Sequence, residues 1–265
     1  MRNRTGALPL GQQADPEYPL PWPLVVRILG AVLLPRRRSF HSDSRRFIAG
    51  LRTPLSVSGL DVVQPGRPLL LTINHYHRPG FRAWWLPLSV SAVVPCHVHW
   101  VMTAAWTFPN RRLSRQLTGL SRRLFRRIAA VYGFSTMPPM PPDPDEVGLR
   151  AQSIRSVLSY ARMTASPVIG FAPEGRDSPE GRLQGPPPGA GRFIYHLAQI
   201  GLEIVPIGAF EAGGSLQINF GLPYRLEIPN HLSVHEIDNL VSTLVMHRIA
   251  NLLPPDLAGI YNQSL

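Results

Sequence analysis

Asn74 and His75 follow directly on an unbroken apolar run, residues 69–73, and Pro79-Gly80 comes soon after them. A short apolar run of this kind reads as a buried strand, and a Pro-Gly pair turns the chain. Polar and titratable side chains are thereby delivered at the end of a rigid strand, where α/β proteins place many of their sites. A histidine there suits general-base chemistry, because its unperturbed pKa of ~6.5 lies close to neutral pH. A strand end with an ordinary polar turn is the plainer explanation of the same residues. A second stretch, Phe171-Ala172-Pro173-Glu174-Gly175-Arg176, is built alike: apolar residues run into a turn that carries a carboxylate and a guanidinium.

The elements that must hold these loops emerge from periodicity. Residues 110–131 form the clearest helix, with Leu113, Leu117, Leu120, Leu124, Ile128 and Val131 spaced by three and four. Seven arginines crowd its other face with no nearby acid, which fits a basic amphipathic helix lying on anionic headgroups. Residues 147–163 give a second amphipathic helix, 192–200 a third, and 233–253 a last one that opens on Ser233 and Glu236, a capping-box pattern. Strands are expected at 55–57, 69–73, up to Met102, 167–171, 203–210, 216–220 and at 224–228. A buried helix, broken at Pro95, fills the nearly uncharged stretch after Phe81. His97 and His99 would share one strand face; with no third ligand nearby they are expected to be ordinary strand residues, and no metal site is expected. Strands alternating with helices indicate an α/β fold, a mixed central sheet flanked by helices.

Composition narrows the chemistry. The chain has 265 residues and a formal net charge of +11, and all 27 basic residues are arginine. The absence of lysine removes Schiff-base and phosphate-loop-lysine mechanisms. Arginine suits bidentate grip on phosphate or carboxylate. The single cysteine, Cys96, excludes an intrachain disulfide or a cysteine-based zinc site. No signal peptide or membrane span is expected: the apolar residues 20–34 are too few and are interrupted by Arg27. We expect residues 1–50 to form an N-terminal arm, disordered over 1–18, with a short apolar segment beside Arg36, Arg37 and Arg38, and residues 51–265 to form one domain. The apolar segment with adjacent arginines fits either a membrane interface or a helix packed on the domain.

Asn74-His75 stands in one strand-end loop, Pro173-Glu174-Gly175-Arg176 and later Gly189-Ala190-Gly191 in a second, and Val205-Pro206-Ile207 at the end of a third strand. This succession resembles the glycerolipid (lysophospholipid, 1-acyl-glycerol-phosphate) acyltransferase family. That family has a first block Asn-His-x-Ser-x-x-Asp, a third block Phe-Pro-Glu-Gly-Thr-Arg-Ser and a fourth block Val-Pro-Ile or similar. The resemblance spans about residues 59–225. It implies the acyltransferase fold, with His75 as the base that takes a proton from an acceptor hydroxyl. It implies an acyl thioester donor, on coenzyme A or acyl carrier protein, and no bound cofactor. Glu174 and Gly175 would help bind a phosphate-bearing acceptor, and Pro206 would shape the acyl pocket. Asn74, His77, Pro173, Arg78 and Arg176 complete the expected substrate-binding set, the two arginines as anion binders.

The sequence departs from that pattern in three places. Gly80 stands where the first block has its histidine-orienting aspartate, and His77 stands at the serine position. Loss of such a carboxylate costs other histidine enzymes ~10⁴ in rate. Arg176 comes one place early, with Asp177 where arginine is expected. Around residues 131–139, where the second block should lie, Gly133 is present but its arginine is not. The expectation is an O-acyltransferase acting on a lipid hydroxyl, peripheral on the cytoplasmic face of a membrane, with the anionic membrane surface as partner and no nucleic acid. A non-catalytic lipid-binding relative that lost the orienting aspartate is the alternative.

Overall fold

Seven strands form the sheet in the computed structural model, which describes residues 16–34, 36–107, 113–141, 143–176, 178, 180–229 and 231–262. They are β1 (Leu55–Ser58), β2 (Leu69–Ile73), β3 (His99–Thr103), β4 (Ser135–Met137), β5 (Val168–Phe171), β6 (Glu203–Ala212) and β7 (Ser215–Phe220). Their order across the sheet is β1-β7-β6-β2-β5-β3-β4. Every neighbouring pair is parallel except the β6/β7 hairpin. The helices are α1 (Trp22–Leu33), α2 (Phe40–Ala49), α3 (Trp85–Val93), α4 (Ser114–Tyr132), α5 (Val147–Met163), α6 (Ala190–Gln199) and α7 (Val234–Ala250). The fold is α/β, a mixed sheet flanked by helices.

Strands β2 and β5 are buried at every residue, as parallel strands covered on both faces must be. Successive side chains point to opposite faces. Leu69, Leu71 and Ile73 therefore pack with residues of α1, α2 and α3, while Leu70 packs with α5, α6 and α7. Gly170 in β5 lets the sheet accept Trp100: a Cβ at that position would lie 2.7 Å from the indole. The indole N–H donates to Ser91 in α3 at 2.8 Å. These two apolar layers fix the strands rigidly and leave their carboxyl ends to carry loops.

Several expectations are refined. Helix α5 spans the expected residues, and α7 opens with the expected capping box. Residues 224–228 add only an isolated bridge, Ile204 to Tyr224, rather than a strand. Helix α2 and strand β4 were not foreseen. Of the 1–18 arm, residues 1–15 lie outside the described residues, but Tyr18 is packed edge-on to Phe81 at 5.2 Å. Leu24 of α1 and Phe47 of α2 belong to the same core as the sheet, so the packing does not divide at residue 50. Arg38 is no solvated cation: it donates to both oxygens of Asp43 at 2.7 and 2.6 Å, and Tyr132 of α4 adds a 3.0 Å bond to the same buried carboxylate. The arginines of α4 are not all unpaired, because Arg122 meets Glu146. Residues 108–112, the start of the expected 110–131 helix, lie outside the described residues.

Candidate active site

The carboxyl ends of β2, β3, β4 and β5 open onto one cavity of about 1350 Å³. Ile73, Thr103, Met137 and Phe171 mark those strand ends in its wall. Much of its lining is apolar and includes Phe81, Leu88, Trp100, Phe125, Tyr132 and Phe134. Pockets for small ligands usually run ~300–1,000 Å³, so this space suits a long apolar group. His75 and His77 line it, as do Asn74, Pro173, Gly175 and Arg176.

Two buried side chains set the His75 loop. The Asn74 amide donates to the Ala209 carbonyl at 2.8 Å and accepts from the Ala209 N–H at 2.7 Å. This reciprocal pair continues the β2–β6 ladder by one side chain and holds the strand end against β6. Glu174 is 1% exposed. One of its carboxylate oxygens accepts the His75 N–H at 2.7 Å, and the other accepts the Gln184 N–H at 2.8 Å. A buried carboxylate persists only where hydrogen bonds compensate its lost hydration. Glu174 thus ties the first loop to its own loop and to the segment after it. The backbones are also in direct contact: a Cβ on Gly181 would sit 2.7 Å from the His77 carbonyl oxygen. The sequence indicated Glu174 as a binder of substrate; its described contacts make it a positioning group for the His75 backbone.

Three expected site residues are not in the lining. Arg78 pairs with Glu211, with 2.9 Å between Nη2 and Oε1, and donates to the Pro16 carbonyl at 2.9 Å. Its charge is neutralised there, which corrects its expected role as an anion binder. Glu174 lies behind the wall. Pro206 lies within β6 opposite Thr72, not at a strand end, and its carbonyl accepts Gly221 N–H at 2.8 Å. Gly80 has φ +85°, a conformation that side chains disfavour, and borders an adjoining depression with Glu17 and Tyr18 that shares Arg82 and Trp84 with the cavity. Asp177, the other acid of the third block, lies outside the described residues.

Other cavity residues escaped sequence reasoning: Arg82, Arg150, Arg155, Arg192 and His196. Arg150 and Arg155 lie within four residues of Ile154, an apolar residue of the same amphipathic helix that also lines the cavity; that neighbourhood was the available signal. His99 is buried, with Nε2 2.9 Å from Ser135 Oγ and its ring stacked on Tyr160 at 3.8 Å. Burial pushes its pKa down to about 4. Among the described residues no group of His, Cys, Asp and Glu is placed to hold a metal.

Neither a protein-family model nor a curated protein matches the sequence. Among solved structures, the fold matches the crystal structure of the 1-acyl-sn-glycerophosphate (LPA) acyltransferase PlsC from Thermotoga maritima. The TM-score is 0.52 at 12% identity, over 86% of this chain and 88% of that one. The two share a fold across nearly their whole lengths.

Proposed function

We propose that this acyltransferase-like fold carries O-acyl transfer: a fatty acyl group passes from a thioester, on coenzyme A or acyl carrier protein, to a lipid hydroxyl at a membrane surface. The observation that supports it most is His75, seated by Glu174 and Asn74 in the lining of a large, mostly apolar cavity. The imidazole takes the proton of the acceptor hydroxyl as the oxygen attacks the thioester carbonyl carbon. The C–S bond of the resulting tetrahedral adduct then breaks, and the imidazolium returns the proton to the departing sulfur. A positioned base of this kind contributes ~10²–10⁴-fold. The cavity holds the acyl chain and excludes water, which would otherwise compete for the thioester.

For the surface, the support comes from α1. Trp22, Val26, Leu29 and Leu33 recur at spacings of four, three and four, and all are exposed, from 47% to 67%. Arg36, Arg37 and arginines of α4, which packs on α1, are exposed too. An apolar stripe beside cations suits peripheral docking on anionic lipid, and the proposal takes that surface to be the cytoplasmic face. Among the described residues no helix is long and apolar enough to cross a membrane.

A non-catalytic lipid-binding protein is the second reading, favoured by Gly80 at the position of the orienting aspartate. Acyl transfer from thioesters to a lysophospholipid, assayed with the purified full chain, separates the two. Turnover supports transfer. Lipid binding with no turnover on any donor supports the second reading.

A further inference from the structure

Strand β6 outruns its neighbour β2. Ile73, the last residue of β2, pairs with Ile207, and β6 continues to Ala212. There Gly213 and Gly214, at φ +58° and +72°, turn the chain back into β7. Glu211 pairs with Leu216 and Ala212 with Ser215, so β7 braces the overhang on one side. The loop that carries His75 follows the other side. Asn74 bonds both backbone groups of Ala209 there.

Two residues further along β6, Glu211 grips the same loop. Its side chain is 6% exposed. Oε1 accepts from the Tyr18 hydroxyl at 2.5 Å and from Arg78 Nη2 at 2.9 Å. Oε2 accepts from the Tyr76 hydroxyl at 3.2 Å and from Arg78 Nε. Tyr76 is the residue after His75, and Arg78 stands two places beyond Tyr76. A bidentate guanidinium–carboxylate pair is strong and fixed in direction. Burial, and then the Glu211 carboxylate, push the Tyr76 hydroxyl up to about 12 and raise that of Tyr18 as well. Both therefore stay protonated and keep donating. The Phe81 N–H closes the turn on the Arg78 carbonyl at 3.1 Å.

The N-terminal segment completes the cluster. Arg78 donates to the Pro16 carbonyl at 2.9 Å, and Thr53 Oγ1 donates to the Glu17 carbonyl at 2.7 Å. The Tyr18 ring lies 5.2 Å from that of Phe81 and 5.4 Å from that of Trp85.

We propose that Glu211, completed by Tyr18, is a positioning residue that holds the His75 loop on the overhang of β6. It acts through Tyr76 and Arg78. The first block of the resembled family carries an acid within the loop, where this chain has Gly80; Glu211 brings a carboxylate to the loop from a neighbouring strand instead. This rests on the acyl-transfer reading. A reacting group misplaced by about 1 Å can cost ~10²-fold in rate.

Acyl transfer from a thioester to a lysophospholipid, and amide hydrogen exchange of residues 74–81, test this on the purified full chain. The proteins are the parent, Glu211→Gln, Tyr18→Phe and Glu203→Gln. Glu203 is the control: it begins the same strand and pairs with Arg67 and Arg225. Glu211→Gln should lower kcat about tenfold or more, move the thioester KM by less than about twofold, and speed exchange at the His75 and Phe81 N–H groups. Tyr18→Phe keeps the ring and loses one hydrogen bond, so it should lower kcat by about two- to fivefold. Glu203→Gln should change neither kcat nor loop exchange. A kcat for Glu211→Gln no lower than that of Glu203→Gln, a rise in KM alone, or loop exchange equal to the parent's overturns the proposal. If Glu211→Gln does not fold, Tyr18→Phe decides: slower turnover with faster loop exchange supports the role, and parent values in both overturn it. A parent that transfers no acyl group overturns the acyl-transfer reading. Loop exchange then still decides whether Glu211 holds the loop.

Discussion

Replacing Glu174 with glutamine would turn one carboxylate oxygen into an NH₂ group facing a backbone N–H, either that of His75 or that of Gln184. A buried group left unsatisfied costs ~1–3 kcal/mol. Glu174→Gln is expected to lower stability to denaturant by about that amount and to reduce transfer. An unchanged denaturation midpoint would contradict the positioning role. Gly80→Asp restores the family's acid on paper, but at φ +85° it places a side chain in the left-handed region, with Cβ 3.4 Å from the Arg78 guanidinium. The strain is worth ~1–2 kcal/mol. We expect a less stable protein with no gain in rate; a faster variant would show that the turn accepts the acid productively. His75 and Glu174 were legible because each stands in a short motif at a strand end. What Glu174 does was not legible. It bonds the N–H of a residue 99 positions away, and only the pairing of β2 with β5 brings the two together.

At the scale of elements, α1 makes the clearest claim. Its inner residues Leu24, Ala31 and Val32 are buried, while Trp22, Val26, Leu29 and Leu33 face outward. A Trp22→Ala, Leu33→Gln double variant should bind anionic vesicles about tenfold or more weakly, given ~1.5–3 kcal/mol for burying each large apolar side chain. Sedimentation with vesicles at low and high salt measures it. Binding should also fall with salt, through the exposed arginines. Identical sedimentation of parent and variant would remove α1 from the interface. Helices α4 and α5 were readable from their amphipathic spacing, and α7 from its capping box. Helix α2 was not, because its ten residues hold only four apolar ones, Phe40, Phe47, Ile48 and Ala49; it is held by Phe47 packing on Trp85 and by Asp43 binding Arg38 and Tyr132. Strand β4 was missed for a similar reason: three residues pair with β3 and offer no pattern of their own.

For the molecule as a whole, charge is partitioned. The sequence shows +11 and no lysine, which reads as a surface made for anions. The structure pairs some of those arginines with carboxylates that tie elements together, leaves others exposed on α4 and beside α1, and sets five along the cavity lining, four of them exposed as well. That division depends on tertiary partners, so composition could not reveal it. Global stability should also respond to acid through His99, whose pKa burial lowers from 6.5 to about 4. Below pH 6.5 the unfolded chain takes up a proton that the folded chain refuses until about pH 4. The stability it contributes is present above pH 6.5 and is lost progressively as pH falls toward 4. His99→Gln should flatten the fall in Tm across that window relative to the parent; equal slopes would exclude His99 as the cause.

The most direct test of the account is transfer of a radiolabelled acyl group from its thioester to a lysophospholipid by the parent and by His75→Ala. The parent should transfer, and the variant should lose ~10²–10⁴-fold or more of the rate, with its fold and its thioester binding unchanged. His75→Ala transferring at the parent's rate would contradict the central role given to that histidine.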